Sequence, residues 1–153
     1  MRFPLVSISV VAACLLFNGP LAGAQSAGSS AGRAKSGEPV VLLFNYVKAD
    51  KKQQFENYLV RFWEALDKLS ASDPEIQRIN RQTRVLRPVG ANADGTHTFL
   101  FVMDPLIPGA NYDMASILTK AFGQEEALQL MALFRAAIVE ERGQVLNMMQ
   151  AER

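Results

Sequence analysis

The sequence predicts an α+β domain in which a four-stranded antiparallel sheet carries its helices on one face. Three observations point there. The apolar pattern follows the order β-α-β-β-α-β from residue 39 to about residue 150. A loop rich in Gly, Asn and Asp separates the two middle strands, which makes them a hairpin. The first and third strands are apolar on both sides, so one sheet face packs on helices and the other needs a further cover.

The domain is preceded by two segments of different character. Residues 1–24 read as an export signal: Arg2 is the charged n-region, Leu5 to Phe17 the apolar h-region, and Ala22-Gly23-Ala24 the cleavage site. Asn18, Gly19 and Pro20 interrupt the run, which is too short for a membrane span of roughly 20 apolar residues. The chain is therefore expected to be exported, to a periplasm or out of the cell, with no transmembrane segment once the signal is removed. The one cysteine, Cys14, lies inside the signal. Val11-Ala12-Ala13-Cys14 resembles a lipobox, and a lipid anchor at Cys14 is the alternative location. Residues 25–38 (QSAGSSAGRAKSGE) lack apolar periodicity and read as a flexible linker.

Removal of residues 1–24 from 153 leaves 129, with Lys+Arg falling from 16 to 15 against 15 Asp+Glu. A chain near neutrality gives no reason to expect a nucleic-acid partner. Without cysteine, the mature domain has no disulfides, so its core or its partners must hold it together.

Pro39 opens the first strand, Val40 to Val47, which Lys48-Ala49-Asp50 closes. Asp50 and Gln53 have the spacing of a capping box. The helix behind them carries Phe55, Leu59, Phe62, Leu66 and Leu69 on one stripe. Asp73-Pro74 starts a second, short helical turn expected over Glu75 to Asn80. Thr83 to Val89 is the second strand, Gly90 to Gly95 the hairpin loop, and Thr96 to Met103 the returning strand. A short helix is expected over Asp113 to Phe122, broken at Gly123. A longer one follows over Glu125 to Arg142, ended by Gly143 in a left-handed conformation. Gln144 to Gln150 is the fourth strand, and residues 151–153 are a tail.

That order is the ferredoxin-like, split βαβ arrangement, with both crossover helices on the same sheet face. In the first strand Val40, Leu42, Phe44 and Tyr46 oppose Val41, Leu43, Asn45 and Val47. In the third, Thr98, Leu100 and Val102 oppose His97, Phe99, Phe101 and Met103. Helices roof only one side, so the other leaves an apolar patch larger than monomers usually expose. A second copy packed sheet to sheet covers it, which predicts a homodimer.

On this element order and these two-sided strands, Pro39 to about Gln150 resembles the dimeric α/β-barrel superfamily, which includes antibiotic-biosynthesis-monooxygenase-like domains. The resemblance implies a dimeric α/β barrel with a ligand cavity between the paired sheets. It implies activities ranging from cofactor-free monooxygenation and haem degradation to none known.

The chemistry-bearing residues are few. His97, the single histidine, is a candidate base or ligand, or a half-wet residue at a strand start. Asn45 is the one polar residue on its strand face, a candidate for binding a substrate or for pairing within the protein. Phe99 and Phe101 join them as speculative ligand-binding residues, and together with Met103 are read most simply as interface core. Haem-degrading relatives combine a first-strand asparagine with a tryptophan and a helix-borne histidine. Here Trp63 is on a helix and His97 on a strand, so that set is not reproduced. Arg78, Arg81, Arg84 and Arg87 recur every third residue, either a site for an anionic ligand or phosphate or, since the run crosses from a helical turn into a strand, a solvated charged edge that discourages aggregation. The sequence holds no zinc-ligand spacing, phosphate-binding glycine loop, dinucleotide fingerprint or nucleophile elbow. It therefore implies no metal, no cofactor and no catalytic residue. The functional expectation is an exported homodimer that holds a small apolar ligand in the inter-sheet cavity. The alternative is a cofactor-free or haem-dependent monooxygenase using the same cavity.

Overall fold

The computed structural model describes residues 32–152. The expected export signal, Cys14 and the first part of the expected linker lie outside the described residues. The elements are β1 (Pro39–Val47), α1 (Lys52–Ser70), α2 (Pro74–Gln82), β2 (Thr83–Leu86), β3 (His97–Met103), α3 (Met114–Phe122), α4 (Gln124–Ala137) and β4 (Gln144–Met149). All pairings are antiparallel and the strand order is β2-β3-β1-β4. This is an α+β sheet compatible with the ferredoxin-like class, in which each crossover carries two helices rather than one.

The apolar stripe of α1 is buried as its spacing requires: Phe55, Leu59, Phe62 and Leu66 are core, joined by Tyr58 and Ala65. Its start differs from expectation. Asp50 caps nothing, because it lies inside a 3-10 turn, Ala49–Lys51, closed by the Lys51 N–H on the Lys48 carbonyl. The Gln53 side chain bonds Asn57 instead. Asp73 does cap α2, accepting from the N–H groups of Glu75 and Ile76. That helix, Pro74–Gln82, runs three residues longer than the expected turn, and Ile76 and Ile79 anchor it in the core. β2 ends at Leu86, three residues early, where Arg87-Pro88 removes a donor from the ladder.

The last helix also ends early. Ile138 and Val139 leave α4 to join the sheet, Ile138 bridging Val47 and the Val139 N–H bonding the Tyr46 carbonyl at 2.8 Å. A 3-10 turn over Glu140–Arg142 follows, and Gly143 has φ −54°, so it is not a left-handed cap. β-branched residues prefer that pleated edge to a further helical turn. The described end of the linker is tied down. The Ala34 N–H bonds Asp104 Oδ1 at 2.7 Å, Gly37 donates to the Gln150 carbonyl, and Gln150 donates back to Glu38.

One face of the sheet carries all the helices. Val47, Phe99 and Phe101 belong to the same core as α1–α4, and Leu43 and Val85 pack against it. The register aligns Val85, Phe101 and Leu43 in one row across three strands. The opposite face repeats the pattern with Leu86, Leu100 and Phe44, then Arg84, Val102, Leu42 and Leu146. β4 differs from the rest in being exposed along its whole length on both faces.

Candidate functional site

Between sheet and helices lies a cavity of about 180 Å³. Leu43, Phe101 and Met103 form its floor, and Phe62, Leu66 and Ile79 of α1 and α2 its roof. Each is placed by a pattern already described: alternation along the strands, and one stripe on each helix. Met114 and Ile117 of α3 close one side, with Tyr112 and Asp113 just ahead of that helix. The cavity opens partly to solvent, so an apolar molecule entering it gains by covering the Leu, Ile and Phe side chains of its walls.

Three polar groups interrupt the apolar lining. Thr83 opens β2 on the helix-covered face, and its Oγ1 is buried with no partner among the described residues. Leaving such a hydroxyl unmet costs about 1–3 kcal/mol. Tyr112 Oη accepts the Ile107 N–H at 3.0 Å, and its own proton has no acceptor among the described residues. Burial raises the Tyr112 phenol above its ordinary pKa, which keeps it neutral and a donor. Asp113 caps α3 by accepting the Ser116 N–H at 2.9 Å. Hydrogen bonds from Ser116, side chain first and backbone second, hold its carboxyl below the usual range. No lysine or arginine lines the cavity.

The four residues singled out from the sequence fall on this same helix-covered side. Phe101 lines the cavity. Phe99 is fully buried, its ring centroid 4.7 Å from that of Phe55. Both are core of the subunit, so the reading of them as interface core is corrected: odd-numbered β3 residues face the helices. Asn45 stands opposite Phe99 and is 5 % exposed, and its Nδ2 has no partner among the described residues. His97 stands opposite Val47, which makes it the diagonal neighbour of Asn45, and its Nδ1 is likewise buried and unpartnered. Such diagonal pairs are about 7 Å apart. The sheet thus brings Asn45 and His97 together, but neither lines the cavity. The four arginines of the three-residue repeat are all exposed, and Arg84 pairs with Asp104 at 2.8 Å.

Sequence reasoning missed Thr83, Tyr112 and Met114. Thr83 shares a strand face with Val85, so alternation alone assigns its side. Nothing local marks Tyr112, whose place depends on the loop before α3. Among the described residues no group of three or more His, Cys, Asp or Glu side chains is arranged to hold a metal ion. No described helix is long and apolar enough to cross a membrane.

Comparison of the chain with protein-family models, with curated proteins and with solved structures returned no match.

Proposed function

We propose that this protein is an exported homodimer, a dimeric α/β barrel of ferredoxin-like subunits, each binding a small apolar molecule. The ligand site is the cavity under the helices rather than a space between two sheets, because that is where apolar walls and polar handles coincide. Export is read from the n-, h- and c-region pattern of residues 1–24. A mature mass starting near Gln25 supports it, whereas a diacylated mass starting at Cys14 gives a membrane-anchored form instead.

The observation carrying the dimer is β4, exposed along its whole length beside an apolar sheet face that carries no helix. Val145, Leu146, Met148 and Met149 are 56, 38, 50 and 69 % exposed. Four strands about 4.8 Å apart and five residues at about 3.4 Å give a face of roughly 330 Å² in projection. A standard interface takes about 800 Å² of accessible surface from each partner. The flat face alone falls short, so the contact must also take in the outer edge and second side of β4. The two sheet edges differ in the way this requires. β2 is four residues long, with Arg84 on it and Arg87-Pro88 after it, the usual protection of a free edge. β4 has no charged residue between Arg142 and Glu152. A second copy of the chain is the occupant that meets an apolar face with an apolar face.

Sedimentation equilibrium at micromolar concentration tests this. The wild type is expected at twice the subunit mass, and Leu146→Lys as a monomer with unchanged far-ultraviolet circular dichroism. A wild type that sediments as a single subunit overturns the proposal.

A second reading, an oxygenase, is favoured by one observation: the adjacent buried nitrogens of Asn45 and His97 lack protein partners. Haem does not fit these residues, since neither lines the cavity and the Nδ1 of His97 is buried on the sheet. The cofactor-free form predicts oxygen uptake with quinols that falls in both Asn45→Leu and His97→Ala.

A further inference from the structure

The chemistry of the cavity narrows what it holds, on the reading that it is a ligand site. At an interior packing density of about 0.75, its 180 Å³ accepts roughly ten non-hydrogen atoms, one ring or two fused rings. The walls are Leu43, Phe62, Leu66, Ile79, Phe101 and Ile117 side chains, with the thioethers of Met103 and Met114. Two hydroxyls interrupt them, and both stand at the Met103 end of the sheet. Thr83 is the register partner of Met103, and Tyr112 is bonded to Ile107 in the loop that follows Met103. Tyr112 Oη already accepts from Ile107, so what it has left to offer is its proton. Thr83 Oγ1 is buried, unpartnered and free to donate. Asp113 at the rim disfavours an anion, and its carboxylate is engaged in capping α3. A cation would enter apolar walls with no committed counter-charge.

We propose that the cavity takes a neutral mono- or bicyclic molecule carrying one hydrogen-bond acceptor, a carbonyl or ether oxygen, bound by the hydroxyls of Thr83 and Tyr112. Neither hydroxyl is met by a hydrocarbon, and only Thr83 can serve a ligand that is purely a donor. The site therefore selects for a single oxygen at one end of an otherwise apolar molecule.

The test compares three probes of nearly equal size on the full mature protein: 1-indanone, indane and phenylacetate. Binding is followed by the methyl resonances of ¹³C-methyl-methionine. Met103 and Met114 line the cavity, while Met148 and Met149 lie on β4 and act as internal controls. 1-Indanone is expected to shift the Met103 and Met114 signals, to leave the β4 methionines in place, and to bind about tenfold more tightly than indane. Phenylacetate should not bind. Thr83→Val and Tyr112→Phe should each reduce that tenfold preference without changing indane binding, and Thr83→Ser should keep it. The probe comparison on wild type needs no variant to fold. Equal affinity for indane and 1-indanone, both moving Met103 and Met114, overturns the acceptor proposal while the cavity remains a ligand site. No shift at Met103 or Met114 with either neutral probe overturns the ligand-site reading itself, and this proposal with it.

Discussion

Asp113 stands at the rim of the cavity and also begins the helix that walls it, so a single carboxyl links helix stability to the site. Its oxygen accepts the Ser116 N–H, and Ser116 holds the carboxyl below its ordinary range. A depressed folded-state pKa means the stabilisation is present above the unfolded aspartate value of about 3.9 and is lost as pH falls through the lower folded value. Asp113→Ala should cost about 1 kcal/mol in urea unfolding near neutral pH, the usual loss of an N-cap. The gap between wild type and Asp113→Ala should close as the carboxyl protonates. Asp113→Asn keeps a capping oxygen and should track the wild type at neutral pH without this acid dependence. A gap that persists unchanged well below the folded titration would show that the charge is not what matters. At this scale the sequence was readable wherever a residue acts on its own neighbours. Asp73 and Asp113 were both recognisable as helix starts. Asp50 has Gln53 at capping-box spacing, yet the 3-10 turn that precedes α1 takes it out of the capping position.

At the scale of elements, legibility followed periodicity. The α1 stripe and the two-sided β1 and β3 stood out because many residues repeat one instruction. The end of α4 was not legible, because Ile138 and Val139 sit on a helical repeat but are claimed by the edge of β1. That competition is tertiary, and a local pattern does not contain it. The same applies to the site. Asn45 and His97 were recognisable as polar residues in apolar strands, but their diagonal pairing depends on the β1–β3 register. Tyr112 reaches the cavity that Thr83 lines only through the loop after β3. The α3–α4 junction shows the opposite case, a constraint legible from one residue. Gly123 has φ 91° and ψ 167°, a region open essentially to glycine alone, and nothing lies within 4 Å of a Cβ placed there. Gly123→Ala should therefore destabilise by roughly 1–3 kcal/mol through backbone strain and not through a clash. Gly90→Ala has an equally open Cβ position and no positive φ, and serves as the control. Chemical denaturation of the pair separates the two effects, and equal stabilities would refute the strain argument.

At the scale of the whole molecule the subunit has an asymmetric balance of surfaces. One sheet face is closed by four helices and holds the aromatic core of Phe55, Tyr58, Phe99 and Phe134. The other face carries no helix, and although Val102 at its centre is buried, β4 is exposed on both sides. If a second copy supplies it, folding and association are linked, and apparent stability depends on protein concentration. A tenfold rise in concentration adds about 1.4 kcal/mol per dimer, which corresponds to about 3 °C in Tm for two subunits of this length. Scanning calorimetry across a hundredfold concentration range should therefore show a steady rise of about 6 °C. Leu146→Lys, exposed in the isolated subunit and central to the proposed contact, should melt lower and independently of concentration. The cavity lies on the helix side, away from that contact, so 1-indanone should raise Tm in both proteins by about the same amount at equal free ligand concentration. A wild-type Tm that does not move with concentration would mean that β4 meets water and not a second chain, and it would leave the cavity as the one site to which function is assigned.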